Sequence, residues 1–182
     1  SVIAGQPNGQ DVVIDIGGGS TEIAAGMGSQ LTDRYSYDMG CVRFTERFIS
    51  DDPPSGDQLQ KCRKAIQQML NSYRFEFDTG SQLVGVAGTV TSLAYIDCNM
   101  DEYDDSRIAN HIMSAETVAS HIKELSQQTT SQLEEQYPAV MKGRADIFLA
   151  GLLILHEFMS LYGFDQLITS TGGIRHGAIL EH

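Results

Sequence analysis

The chain has 182 residues, 41% of them hydrophobic, enough for one well-formed core. Its 24 acidic residues against 12 basic ones leave a formal net charge of −12, which argues against a general nucleic-acid or anionic-membrane binder. Three scattered cysteines (Cys41, Cys62, Cys98) give no zinc or disulfide spacing and point to reduced thiols, hence the cytoplasm.

The opening SVIAGQPNGQ has neither a basic nor a long apolar stretch, so no secretion leader is expected. Residues 11–16 and 20–26 read as two strands around a turn of three glycines, with a third strand at 30–38. Three successive strands without a helix between them predict an antiparallel meander. Residues 41–50 read as a helix with Val42, Phe44, Phe48 and Ile49 as candidate buried positions. DDPPSG ends it, and Ser55 with Gln58 predicts a capping box for the next helix. Leu59, Cys62, Ile66, Met69, Leu70 and Tyr73 keep helical spacing on one face of that helix.

QLVGVAG (82–88) reads as a short buried strand, running into a helix that opens on Thr89. DEYDD (101–105) reads as a solvated loop. Residues 115–127 form an amphipathic helix with Val118, Ile122 and Leu125 inward, and 129–138 are polar and only partly helical. Residues 143–163 are apolar almost all round, which predicts a buried central helix stopped by Gly163. Its longest apolar run, residues 147–155, is too short to span a bilayer. QLITS (166–170) is a last strand, followed by a second glycine turn and a short helix. The closing LEH (180–182) reads as a tag remnant, leaving residues 1–179 as a single domain, expected to be a piece of something longer.

Three loops at strand ends carry the chemistry. In the first, Asp15 and Glu22 flank Gly17, Gly18, Gly19, Ser20 and Thr21. Glycines let successive backbone N–H groups face a ligand, which suits phosphate oxygens, and the two hydroxyls add donors. Carboxylates beside a phosphate need a cation between them, so Asp15 and Glu22 are expected to contact Mg²⁺. No lysine follows the glycines as a P-loop requires, and no helix follows as a dinucleotide loop requires. In the second loop, Gly88 and Thr89 stand where a helix N-terminus attracts phosphate, or where Thr89 merely caps the helix. In the third, Gly172 and Gly173 precede Arg175 and His176, and Arg175 can grip a phosphate or pair with a surface carboxylate. Arg144 and Asp146 are read as a structural pair at the start of the central helix. His111, His121 and His156 show no ligand spacing.

DIGGGSTE, MGCVRFTERF, GVAGTVTSLA, GRADIFLAGLLIL and STGGIRHG together resemble the exopolyphosphatase/guanosine pentaphosphate phosphohydrolase (Ppx/GppA) family over residues 11–179. The resemblance implies an actin/ribonuclease H-like α/β fold, with the meander followed by β-α-β-α and packed helices. It implies that the chain is the second half of a two-domain cleft, the first half supplying another phosphate loop and a glutamate general base. On that likeness Asp15 and Glu22 are the catalytic, Mg²⁺-associated carboxylates. Gly17 to Thr21, Gly88, Thr89, Gly172, Gly173 and Arg175 bind phosphate. The implied reaction is hydrolysis of polyphosphate or guanosine pentaphosphate, by a cytoplasmic protein that engages neither nucleic acid nor membrane. The isolated chain is expected to be inactive, and homodimerisation stays open. Two rivals stand beside this reading: half of a sugar-kinase-like ATPase, and a non-catalytic nucleotide or polyphosphate sensor.

Overall fold

The computed structural model describes residues 9–172. Strands β1 (Asp11–Ile16), β2 (Thr21–Met27) and β3 (Gln30–Tyr37) form the expected meander, followed by helices α1 (Cys41–Phe48) and α2 (Gly56–Leu70). β4 (Gln82–Val86) runs directly into α3 (Ala87–Asp97). Then come α4 (Asp105–Ile108), β5 (Ile112–Ser114), α5 (Ala115–Leu125), α6 (Thr130–Gln136), α7 (Pro138–Met141), α8 (Ala145–Tyr162) and β6 (Gln166–Thr169). The sheet order is β3-β2-β1-β4-β6-β5. β4 pairs in parallel with both β1 and β6, and the remaining pairings are antiparallel.

Period-two alternation puts Val12, Ile14 and Ile16 of β1 on one face with Ile23 and Ala25 of β2, and all five are buried. Helix α8 packs against α1, α2 and α5 and touches β1, so it forms the centre of the core. By length and composition it could cross a membrane, but 67% of it lies buried inside the molecule, as befits a core helix. Its Leu152, Leu153, Ile154 and Leu155 have no exposed surface. Each such burial contributes roughly 1.5–3 kcal/mol of transfer free energy. Two close approaches set where α3 sits. A Cβ on Gly151 of α8 would meet Thr89 Oγ1 at 2.8 Å, and one on Gly85 of β4 would meet Val90 Cγ2 at 2.7 Å. Small residues at both places let α3 press against helix and sheet together.

The structure corrects several expectations. α3 begins at Ala87, two residues before Thr89, and Val86 is its N-cap without a side-chain bond. Thr89 therefore does not cap the helix; it is 7% exposed and packs on Gly151. Val42 is 37% exposed, and the buried residues of α1 are Cys41 and Phe44. Ser55 accepts from the Gln58 N–H, but the Gln58 amide turns to Ser50 (Nε2 to Oγ, 2.8 Å), so only half of that capping box forms. The complete box is at Thr129 and Gln132, heading α6 in the stretch read as partly helical. The short strand β5 and the single turn α4 carry too few residues to show a period. Asp104 caps α4, so the acidic loop ends in helix at Asp105. Gly163 stops α8 as expected, at φ 71°, with its N–H bonded to Met159 O.

Candidate functional site

The turn after β1 is closed by the Gly17 N–H donating to Ser20 O at 2.9 Å. Its carbonyls are taken by the start of α1, where the Cys41 N–H donates to Gly17 O (2.9 Å) and the Arg43 N–H to Gly18 O (3.1 Å). Helix α1 thus spends its bare N–H groups on the turn and holds it rigid. Among the described residues the N–H groups of Gly18 and Gly19 have no acceptor, and both glycines are exposed. Gly40 makes this seat possible, because a Cβ there would lie 2.5 Å from Gly18 O and 2.6 Å from Gly17 O.

β4 lies beside β1, with Asp15 opposite Val86, so the strand–helix junction at Ala87 emerges next to the glycine turn. Ala87 has φ 64°, a left-handed conformation that costs a residue with a Cβ roughly 1–2 kcal/mol. Strain of this kind is retained where the surroundings enforce it. Gly17, Gly18, Gly88 and Thr89 together line one cavity of about 300 Å³, whose far wall is Gly143, Arg144 and Phe148. Two of the three loops singled out in the sequence therefore converge.

Arg144 does not pair with Asp146. It is exposed, makes no ion pair among the described residues, and lies over Gly88 with Nη1 3.4 Å from Ser92 Oγ. Among the described residues it is the cation that lines the cavity. The sequence signal was a basic residue heading an apolar helix, which is equally the signature of a structural pair. Cys41 also lines the cavity, but burial pushes its thiol pKa up against the opposing pull of backbone hydrogen bonds and Arg144. A protonated thiol is a poor nucleophile.

Asp15 and Glu22 are cross-strand neighbours in register on β1 and β2, on the face opposite the helices that bury Ile14 and Ile16. Glu22 Oε1 accepts from Ser20 Oγ (2.6 Å) and from Ser36 Oγ (3.0 Å), so its carboxylate is oriented beside the turn. Ser20 supports the carboxylate here, and Thr21 is fully buried, donating to Met39 O at 2.7 Å. Neither hydroxyl faces the cavity as a donor. Two neighbouring carboxylates with no imidazole or thiolate make a hard-oxygen donor set. That fits Mg²⁺, which is held by one or two carboxylates plus phosphate and water. Ser170 donates its N–H to Gly85 O at 2.9 Å, which sets the third turn after β6 beside β4. Gly172 donates its N–H to Ser170 Oγ at 3.2 Å. Gly173, Arg175 and His176 lie outside the described residues.

A cavity walled by glycine backbone, a bare helix start and one arginine has the chemistry of an oxyanion site, here at the ends of adjacent parallel strands in an α/β domain. Comparison with known proteins narrows that class. The chain belongs to the Ppx/GppA phosphatase family, whose family model matches residues 1–182. It is 31% identical over 179 residues to exopolyphosphatase 2 of Mycobacterium tuberculosis, covering 93% of this chain and 54% of that protein. It is 29% identical over 177 residues to the bifunctional 3-dehydroquinate synthase/phosphatase of Fusobacterium nucleatum, covering 93% of this chain and 26% of the other. Among solved structures, a Ppx/GppA protein of Aquifex aeolicus superposes with a TM-score of 0.88 at 27% identity, over 96% of this chain and 56% of that one. Its type II variant gives 0.90 at 26% identity, over 98% and 59%. The fold is therefore the actin-like one of these proteins. The chain spans about half the length of the exopolyphosphatase and of these two structures.

Proposed function

We propose that this chain is one half of the catalytic core of a phosphoanhydride hydrolase that releases terminal phosphate from inorganic polyphosphate or guanosine pentaphosphate. The observation that carries the reading is the convergence of the Gly17–Gly18 turn, the start of α3 and Arg144 on one cavity. The N–H groups of Gly18 and Gly19 and the first N–H groups of α3 hold phosphoryl oxygens, and Arg144 adds the positive charge. Water oxygen attacks the terminal phosphorus, the bridging P–O bond breaks, and the shortened phosphate chain leaves with the bond's electron pair. The proton lost by water goes to a base from the domain that completes the cleft. Asp15 and Glu22 would hold Mg²⁺, which when bound neutralises charge on the phosphate. In this chain Ser20 and Ser36 fix the Glu22 carboxylate, and α1 fixes the turn, so the charges are placed before substrate arrives.

Half a cleft lacks both the base and the opposing phosphate loop, so the isolated 182-residue chain is expected to turn over neither substrate. The test is phosphate release by the full-length parent with Mg²⁺, on polyphosphate and guanosine pentaphosphate in parallel. Turnover of either supports the hydrolase. Turnover of neither by a folded parent refutes it, as does substantial Mg²⁺-dependent hydrolysis by this chain alone for the half-cleft part.

A further inference from the structure

The acidic stretch after α3 carries an exposed aromatic ring that phosphate binding leaves unused. Tyr103 is 46% exposed, whereas Tyr95 beneath it is 3% exposed. Their rings lie 15° from parallel with centroids 6.2 Å apart, so Tyr103 is backed by Tyr95 while close to half of its surface stays exposed. The loop is pinned on both sides of the ring. The Tyr95 hydroxyl donates to Asp101 O at 3.1 Å, and Asp104 Oδ1 accepts from the Ser106 N–H at 2.8 Å.

The ring lies one helical turn beyond the arginine of the cavity, since Arg144 reaches Ser92 and Tyr103 stacks on Tyr95, both on α3. Thr91, Asp105 and Arg144 all act on the Tyr103 hydroxyl, whose pKa is raised chiefly by burial. Thr91 Oγ1 donates to Ala87 O at 3.1 Å, within the first turn of α3, and Arg144 reaches Ser92 on the same helix. Along α3 from its start, Arg144 lies at Gly88 and Ser92, and Tyr103 follows at Tyr95.

Charge decides what can lie there. Asp101, Glu102, Asp104 and Asp105 are all exposed within two residues of Tyr103. Four carboxylates repel a continuing phosphate chain. A flat, uncharged group with N–H donors meets no such penalty, since it can stack on the ring while a carboxylate accepts its donors. We propose that Tyr103 is a specificity-determining residue that stacks the base of a purine nucleoside polyphosphate whose phosphates lie at Arg144 and the glycine turn. The proposal rests on the phosphate reading of that cavity and deepens it. It favours a nucleotide over a long inorganic chain, which has nothing to place on this side.

The experiment uses the full-length parent and two readouts. In steady-state kinetics, Tyr103→Ala should raise KM for guanosine pentaphosphate about tenfold with kcat within twofold, leaving kcat/KM for inorganic tripolyphosphate unchanged. Tyr103→Phe, which keeps the ring, should restore the nucleotide KM. In calorimetric titration, GDP should bind the wild type about tenfold more tightly than pyrophosphate, and Tyr103→Ala should erase that difference. Equal losses on both substrates, or no loss on either, would overturn the proposal. So would the absence of a GDP preference in a wild type that hydrolyses tripolyphosphate. A parent that hydrolyses nothing yet keeps a Tyr103-dependent preference for GDP would sink the hydrolase and leave the stacking site standing.

Discussion

Adding one methyl group at Gly40, which backs the glycine turn, and one at Gly88, which lines the cavity, should give opposite results. Gly40 has φ −147° and ψ 168°, an extended conformation open to any residue, so only space is at issue. The new Cβ would sit 2.5 Å from Gly18 C and O and 2.6 Å from Gly17 O, all backbone atoms of the turn. They cannot rotate away. The overpacking costs about 1–3 kcal/mol. Moving the turn also strains the Cys41–Gly17 and Arg43–Gly18 bonds, each contributing about 1 kcal/mol. Gly40→Ala should therefore lose about 3–5 kcal/mol, a large share of the 5–15 kcal/mol of a typical domain. At Gly88 the colliding atoms are the Nη1 and Cζ of Arg144, the far end of an exposed side chain that can swing out. Gly88→Ala should cost under about 1 kcal/mol of stability while moving the cation that Arg144 supplies to the cavity, so the parent's KM rises. Urea unfolding followed by circular dichroism, with kinetics on the same proteins, checks the pair. A Gly40→Ala variant as stable as wild type would refute the argument that α1 and the turn are locked backbone to backbone.

Asp15→Ala or Glu22→Ala in the full-length parent should abolish turnover while leaving the unfolding midpoint near wild type; full activity in either variant would remove that residue from the site. Glu157, 7% exposed in α8, is tied to Arg63 and accepts from Gln67 Nε2 at 2.7 Å. Burial favours its neutral form, but bonds from His156, Gln67 and Arg63 outweigh that and hold its pKa at about 2. Its contribution is complete above the unfolded value near 4.5 and fades as pH falls toward 2, so Glu157→Gln should lose about 3 kcal/mol at pH 7 and flatten the acid limb of stability against pH. Asp97 works in the same direction. Burial raises its pKa, but hydrogen bonds from His121 (2.9 Å) and His111 (2.6 Å) win and lower it, so its stabilisation is lost only below the ordinary carboxylate range. Asp97→Asn should therefore weaken the domain at pH 7 and weaken it progressively less as pH falls below the ordinary carboxylate range, as read from thermal melts across a pH series.

What was legible in the sequence was what repeats along the chain or turns sharply. The meander showed through three strand-like runs with no helix between them, α8 through an apolar run all round, and the turns through glycine. Arg144 was not legible, because which way an arginine points is decided by the partner that Gly88 makes room for, 56 residues earlier in the chain. The His111–Asp97–His121 clasp was hidden for the same reason. Its members come from the approach to β5, the end of α3 and the middle of α5, with no spacing to suggest that one carboxylate serves both imidazoles. The cap offered as the alternative role for Thr89 failed, although a threonine at a strand–helix junction has the composition of one. The space left by Gly151 on another helix drew it inward instead. In each case local preference was sound and tertiary packing overrode it.

The net charge of −12 then ceases to conflict with an oxyanion site once its distribution is considered. Glu46, Asp51, Asp52 and Asp146 gather around a second cavity between α1, α6 and α8, and four more carboxylates occupy residues 101–105. The first cavity is lined by no carboxylate among the described residues. Among the described residues its positive potential comes from peptide dipoles, which fall off within a few ångströms, and from the Arg144 guanidinium. The acidic surface acts over roughly the 8–10 Å Debye length of physiological salt. A short or nucleoside-bearing phosphate chain can lie wholly within the near field, whereas a long one must run out across the repelling surface. On the proposed reading, electrostatics alone would make short substrates the better ones for the half of the cleft assigned to this chain.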